Sequence, residues 1–254
     1  MRFQTRRRGA SMNEHIVKSF GEQLEALSTK IAQMGGLAEA QLSAAIESIT
    51  KRDSSVAERT IAQDQKVDEL ELDIEGQAVR LLALRQPMAD DLRRVIGAIK
   101  IASDLERIGD LSKNIAKRAL VLNRAEPMRI TQGLSGMGRQ ALAQVVQVLD
   151  AYSAHDSAKA RAVRLRDEAI DEMYNSLFRE LLTYMMEDPR TIGLCTHLLF
   201  VAKNLERIGD HATNIAETVV YAIEGRYMTD ERPKSDVTST FDIQKRLTEV
   251  ERET

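Results

Sequence analysis

The chain has 254 residues, and its 36 basic and 39 acidic side chains leave a net charge of −3, which excludes wholesale electrostatic binding of nucleic acid. A single cysteine excludes a disulfide framework and any Cys-rich zinc module. Five Tyr, five Phe and no Trp, in a chain that is 30% charged with only four prolines, describe long amphipathic helices. They argue against sandwiches, barrels and Rossmann folds. No apolar run reaches the roughly 18 residues that cross a bilayer. The basic opening Met1 to Arg8 has no apolar segment behind it, so a cytoplasmic protein without membrane insertion is expected.

Residues 1–11 precede MNEHIVKSF, which reads as a natural start at Met12, and are expected to form a disordered basic extension. Proline inside a helix costs about 3 kcal/mol, so Pro87, Pro127, Pro189 and Pro233 mark boundaries. Between them the apolar period predicts six helices. The first covers about 14–49, with Phe20, Leu24, Leu27, Ile31, Met34 and Leu42 on one stripe. Asp53-Ser54 caps a second, running to about 84, and a third spans about 88–122. A fourth covers about 130–152, a fifth starts at Asp156-Ser157 and ends near 187, and a sixth follows Pro189 to the glycine cap at Gly225. The fold class expected is all-α, as two tandem, pseudo-symmetric three-helix bundles. Residues 12–126 form the first, 127–228 the second, and 229–254 a polar tail. The seam Val145, Val148, Leu149 and Tyr152 either completes the core or serves a homodimer.

The two halves repeat each other. Residues 105–116 read LERIGDLSKNIA and residues 205–216 read LERIGDHATNIA, nine of 12 identical at an offset of 100. Upstream, Asp64-x-x-x-Asp68 matches Asp167-x-x-x-Asp171 at an offset of 103, shared by the caps Asp53 and Asp156.

On a helix at about 100° per residue, Glu106, Asp110 and Asn114 form a stripe facing away from Ile101, Leu105, Ile108 and Ile115. Glu206, Asp210 and Asn214 repeat it in the second half. Like charges one turn apart repel, so helix stability does not favour the pattern, whereas a bound cation would. If the second and third helices of each unit run antiparallel, the Asp64/Asp68 and Asp167/Asp171 pairs approach these stripes on one outer surface. Each half then offers four carboxylates to a hard or borderline cation such as Mg²⁺, Mn²⁺, Ca²⁺ or iron. Glu71 and Glu75 add acid to the first half only. The competing reading is a solvated acidic face paired with Arg107 or Arg207. Gly109 and Gly209 sit mid-helix at a cost of about 1 kcal/mol relative to alanine. They imply close helix–helix approach or room beside a metal cluster.

Other chemistries find no support. No Glu lies three residues before any histidine, as di-iron bundles of the Glu-x-x-His type need. Cys195 and His197 lie on different faces of their helix, and there is no Gly-rich phosphate loop or G-x-S-x-G.

With its duplicated LERIGD…NIA motif, its MNEHIVKSF start and its segment RQPMADDLR at 85–93, the sequence resembles the PhoU family of phosphate-specific transport system accessory proteins over about 12–227. The resemblance implies two similar three-helix bundles. It implies metal clusters on E(D)-x-x-x-D motifs, here Asp64/Asp68, Glu106/Asp110, Asp167/Asp171 and Glu206/Asp210, with Asn114 and Asn214 as supporting ligands. The metal implied is Mg, Mn or Fe. It further implies a non-enzymatic negative regulator of the phosphate-starvation response. Such a regulator joins the ATPase subunit of the phosphate ABC transporter to the sensor histidine kinase. Two alternatives stay open: an accessory protein of a low-affinity phosphate transporter, and a metal hydrolase using the same carboxylates with an activated water.

Overall fold

Asp53 begins a helix by accepting hydrogen bonds from the Ser55 and Val56 amides at 2.9 and 3.2 Å. Asp156 does the same for Lys159 at 2.9 Å, so both caps expected from the sequence operate. The structure is a computed structural model that describes residues 6–127 and 131–229. Its helices are α1 (Arg6–Thr50), α2 (Ser54–Gln63), α3 (Gln65–Arg85), α4 (Ala89–Leu122), α5 (Thr131–Ala154), α6 (Ser157–Leu165), α7 (Asp167–Glu187) and α8 (Ile192–Glu224), with a 3₁₀ turn at Pro189–Thr191. The fold is all-α. Asp188 caps the 3₁₀ turn through the Arg190 amide at 3.0 Å, and Gly225 ends α8 with φ +69°, the left-handed geometry that a C-terminal cap requires.

Among the described residues six long helices are present, with two breaks that the apolar pattern did not show. The second divides at Asp64 and the fifth at Arg166. At each break the backbone bonding tightens to three-residue spacing, Val67 N–H to Asp64 O at 2.9 Å and Ala169 N–H to Arg166 O at 3.3 Å. The first helix also reaches back to Arg6. Residues 1–5 and the tail from 230 lie outside the described residues.

α4 and α8 form the centre. Arg118 meets His197 at one end and His211 meets Asp104 at the other, so the two helices run antiparallel. α1, α2 and α3 pack on α4, while α5, α6 and α7 pack on α8, and α1 also lies against α5. The two halves therefore share one core, in which Leu27, Ile31, Met34, Leu42, Ile101, Leu105 and Ile108 are fully buried. Alanines at 38, 45, 98, 102, 116 and 119 are buried too and let the helices approach closely. Val145 and Val148 are buried and Leu149 and Tyr152 pack partly buried on the core, so that seam contributes to the fold's own interior. Among the described residues no helix is long and apolar enough to cross a membrane.

Candidate metal centre

The two helix breaks deliver the first acidic side chains. Asp64 stands at the α2–α3 junction and Asp167 opens α7. Their side chains turn inward, leaving the residues 4% and 2% exposed. Lys113 on α4 bonds Asp64, and Glu71 on α3 feels the charge of Glu106 on α4. Because 64 pairs with 113 and 71 with 106, α3 and α4 run antiparallel, as the sequence argument required.

A buried amide stands behind each aspartate. Gln41 Nε2 donates to Asp64 Oδ1 at 2.9 Å. Gln144 occupies the matching place at an offset of 103 and is likewise buried. Gly109 and Gly209 make the space for these groups. A Cβ at Gly109 would stand 3.2 Å from Gln41 Oε1, and one at Gly209 would stand 3.1 Å from Gln144 Oε1 and 3.2 Å from Asp167 Oδ1. Both glycines thus serve the close approach of polar side chains around a carboxylate.

The carboxylates of each half feel one another. Burial raises the pKa of Glu106, and Asp110, Asp68 and Asp64 add to the rise while Arg107 opposes it. Burial also raises Asp68 and Glu71, reinforced by Asp64 and Asp110 for the first and by Glu106 and Glu75 for the second. In the second half burial raises Glu206, with Asp210 and Asp171 adding and Lys203 opposing. Such upward shifts are what desolvated like charges produce when no cation offsets them. Arg107 approaches Glu106 at 3.5 Å and Asp110 at 4.0 Å from a mostly exposed position, a weak compensation.

The structure corrects two expectations. The carboxylates do not lie on an open outer surface: Asp64, Asp167, Asp171 and Glu206 are buried and Asp68, Glu106, Asp110 and Asp210 half-buried. The reason is that α3 and α7 pack on the side of α4 and α8 opposite the apolar stripe. Asn114 and Asn214 do not join the carboxylates either. Asn214 donates to Asp104 at 3.4 Å, and Asn114 lines a surface recess with Arg118, His197 and Phe200 between α4 and α8. Each step from 106 to 110 to 114 turns about 40° around the helix, which carries the asparagine toward the partner helix.

Lysines partly neutralise the acids. The Lys113 ammonium bonds Asp110 Oδ1 at 2.5 Å and also bonds Asp64. Burial pulls its pKa down, but these bonds outweigh the burial and hold it above the ordinary lysine range. Lys203 bonds Glu206 Oε1 at 2.9 Å. Among the described residues no three acidic, histidine or cysteine side chains converge as an ion's ligand shell. The donor chemistry nevertheless fits a hard cation. Glu206 is 6% exposed and its Oε2 has no hydrogen-bond partner among the described residues, and neither does Gln144 Oε1. Buried oxygen atoms of this kind cost free energy unless a donor or cation meets them.

Gln41, Gln144 and Lys113 were not singled out by the sequence argument. The glutamines interrupt otherwise apolar stripes, and their 103-residue offset, already found for the caps and acidic pairs, is the signal that identifies them. Cys195 is buried, and His197 turns to Arg118 at 3.1 Å, so they form no catalytic pair.

The chain matches the PhoU domain family model twice, over residues 31–119 and 134–219, one stretch in each half. It is 53% identical over 229 residues to the phosphate-specific transport system accessory protein PhoU homolog of Caulobacter vibrioides, covering 90% of this chain and 100% of the relative. It is 50% identical over 228 residues to the homolog of the same description from Rhizobium meliloti, covering 89% and 96%. Its fold is similar to the crystal structure of PhoU from Pseudomonas aeruginosa, with a TM-score of 0.80 at 39% identity over 82% of this chain and 100% of that one. It is also similar to the phosphate transport system regulatory protein PhoU from Streptococcus pneumoniae, with a TM-score of 0.77 at 32% identity over 83% and 100%.

Proposed function

This chain belongs to the PhoU family, and from that premise we propose that it is a non-enzymatic negative regulator of the phosphate-starvation response whose duplicated carboxylate sites bind divalent or trivalent metal ions. Its relatives are accessory proteins of phosphate-specific transport systems, and the Streptococcus pneumoniae protein is described as regulatory. In this reading the chain joins the transporter's ATPase subunit to a sensor histidine kinase and keeps the kinase quiet when phosphate is plentiful. Magnesium, manganese and iron all suit the oxygen donors.

The observation that carries the metal reading is the buried Glu206 Oε2, which lacks a hydrogen-bond partner among the described residues, in a carboxyl whose pKa burial raises and the nearby Asp210 and Asp171 raise further. Asp167, Asp171, Glu206 and Asp210 would hold the ion in the second half, and Asp64, Asp68, Glu106 and Asp110 in the first. These residues come from α3 and its N-cap with α4 and from α7 with α8, and an ion held there would supply positive charge to their desolvated carboxylates. The long helices present faces to a partner.

The regulatory role is tested in a strain lacking the gene, grown in excess phosphate with alkaline phosphatase as reporter. The expected result is a derepressed reporter that the full-length chain silences again. A reporter that stays repressed without the protein contradicts the reading.

A further inference from the structure

The surface recess between α4 and α8 has a volume of about 320 Å³ and contains none of the carboxylates of either acidic site. α4 lines it with Asn114, Lys117, Arg118 and Val121, and α8 with His197, Phe200 and Asn204. Among the described residues the lining therefore carries the positive charges of Lys117 and Arg118 and no acidic side chain. Arg118 is fixed from two sides. Its guanidinium lies 4.5 Å from the centroid of the Phe200 ring, a stacking that orients its plane. Its Nη1–H donates to His197 Nδ1 at 3.1 Å. A guanidinium can only donate, so Nδ1 accepts and the hydrogen of the neutral imidazole stands on Nε2. Burial and the Arg118 charge both lower the His197 pKa, which keeps the ring neutral near pH 7.

The repeat supplies a contrast. An offset of 100 between α4 and α8 maps this recess onto the other end of the helix pair. There Glu217 and Thr218 replace Lys117 and Arg118, while Gly97, Lys100 and Asp104 replace His197, Phe200 and Asn204. Asp104 bonds His211 Nδ1 at 2.8 Å and accepts from Asn214, the counterpart of Asn114, at 3.4 Å. The fold thus provides its own carboxylate to the donors at that end. In the recess Asn204 stands where that carboxylate would be, and among the described residues Asn114, Lys117 and Asn204 make no side-chain hydrogen bond or ion pair.

We propose that the α4–α8 recess binds the phosphate group of a small ligand through Lys117, Arg118 and His197, with Asn114 and Asn204 as further donors. A phosphate monoester carries a charge of about −1.5 to −2 at neutral pH and three acceptor oxygens, whereas a carboxylate has a single charge and two oxygens. Two cations beside neutral N–H donors match the phosphate. Arg118 is already oriented, so its fork meets two oxygens with little loss of side-chain freedom. Phe200 and Val121 are exposed beside these donors and offer apolar surface to the organic part of an ester. The site is independent of the metal reading, and its ligand is the free phosphate ion or a small phosphate ester.

The experiment titrates the full-length protein with inorganic phosphate and with AMP, each against chloride at equal ionic strength. It follows the heat of binding and the nuclear magnetic resonance signals of the His197 ring. Saturable binding that raises the His197 pKa is expected, with no such response to chloride. Saturation by phosphate at concentrations no higher than AMP requires assigns the free ion. Tighter binding of AMP, by about tenfold where its base stacks on Phe200, assigns an ester. Asn204→Asp and Lys117→Glu install the acidic residues of the other end, and each is expected to weaken binding about tenfold or more as charge-assisted hydrogen bonds are lost. The first exchange is isosteric and the second lies at an exposed position, so both variants keep the fold. No binding of either ligand, His197 signals that answer chloride as they answer phosphate, or binding that these variants leave unchanged overturns the proposal.

Discussion

Replacing Gly209 by alanine isolates the close packing around the second acidic site. In an exposed helix interior the exchange stabilises by about 1 kcal/mol. Gly76 on α3 is such a place, exposed and with nothing within 4 Å of an added Cβ. At Gly209 the same methyl meets Gln144 Oε1 at 3.1 Å, Ile170 Cδ1 at 3.1 Å and Asp167 Oδ1 at 3.2 Å. These atoms come from α5 and α7, so no single shift relieves all three contacts. Overpacking of this kind costs about 1–3 kcal/mol, which cancels or exceeds the helix gain. Gly109 is milder, since only Gln41 Oε1 at 3.2 Å is tight while Val67 and Asp64 lie at 3.4 and 3.7 Å. The expected order of thermal stability is therefore Gly76→Ala, then Gly109→Ala, then Gly209→Ala. With roughly 2–4 °C per kcal/mol in a chain of this size, the first and last differ by several degrees in far-UV circular dichroism melts. Truncating Gln144 to alanine beside Gly209→Ala recovers part of the loss, a coupling of about 0.5 kcal/mol or more. Gly209→Ala melting as high as Gly76→Ala would refute the packing account of Gly209.

The raised pKa of Glu206 fixes a sign for pH dependence. A carboxyl whose folded value lies above its unfolded one binds its proton more tightly in the fold, so the fold loses stability as pH rises from the unfolded value through the folded one. Chelator-treated protein should accordingly gain stability in urea titrations as the pH falls from neutral toward the ordinary glutamate range, and Glu206→Gln should flatten that gain and raise the midpoint at neutral pH. A wild-type midpoint that falls over this interval contradicts the assignment. Asp110→Asn combined with Asp210→Asn should lower the metal content measured by plasma mass spectrometry while leaving helicity intact, and unchanged metal stoichiometry would remove these residues from the ligand set.

Long helices were legible because their apolar positions recur at three and four residues and their ends carry Asp, Pro and Gly in the places where capping needs them. The breaks at Asp64 and Arg166 were not, since both flanks keep the helical period and Asp64 itself has ordinary helical dihedrals (φ −55°, ψ −40°). A one-residue change in hydrogen bonding leaves no trace in hydropathy. The acidic residues were found through the repeat, yet their burial was missed. A helical wheel of α4 places Glu106 opposite its apolar stripe, and says nothing of α3 packing there. The polar shell was missed for a similar reason: Gln41 and Gln144 look like isolated interruptions until the structure sets them against Gly109 and Gly209. Lys113 belongs to the motif itself, and only its bonds to Asp64 and Asp110 distinguish it from a surface lysine.

The most direct test of the central claim joins the carboxylates to regulation in one assay. In the strain lacking the gene, grown in excess phosphate, alkaline phosphatase is measured with wild-type protein and with the Asp167→Asn, Asp171→Asn, Glu206→Gln variant at equal abundance. The account predicts repression by the wild-type chain and a derepressed reporter with the variant. Full repression by a variant that has lost its metal would contradict it.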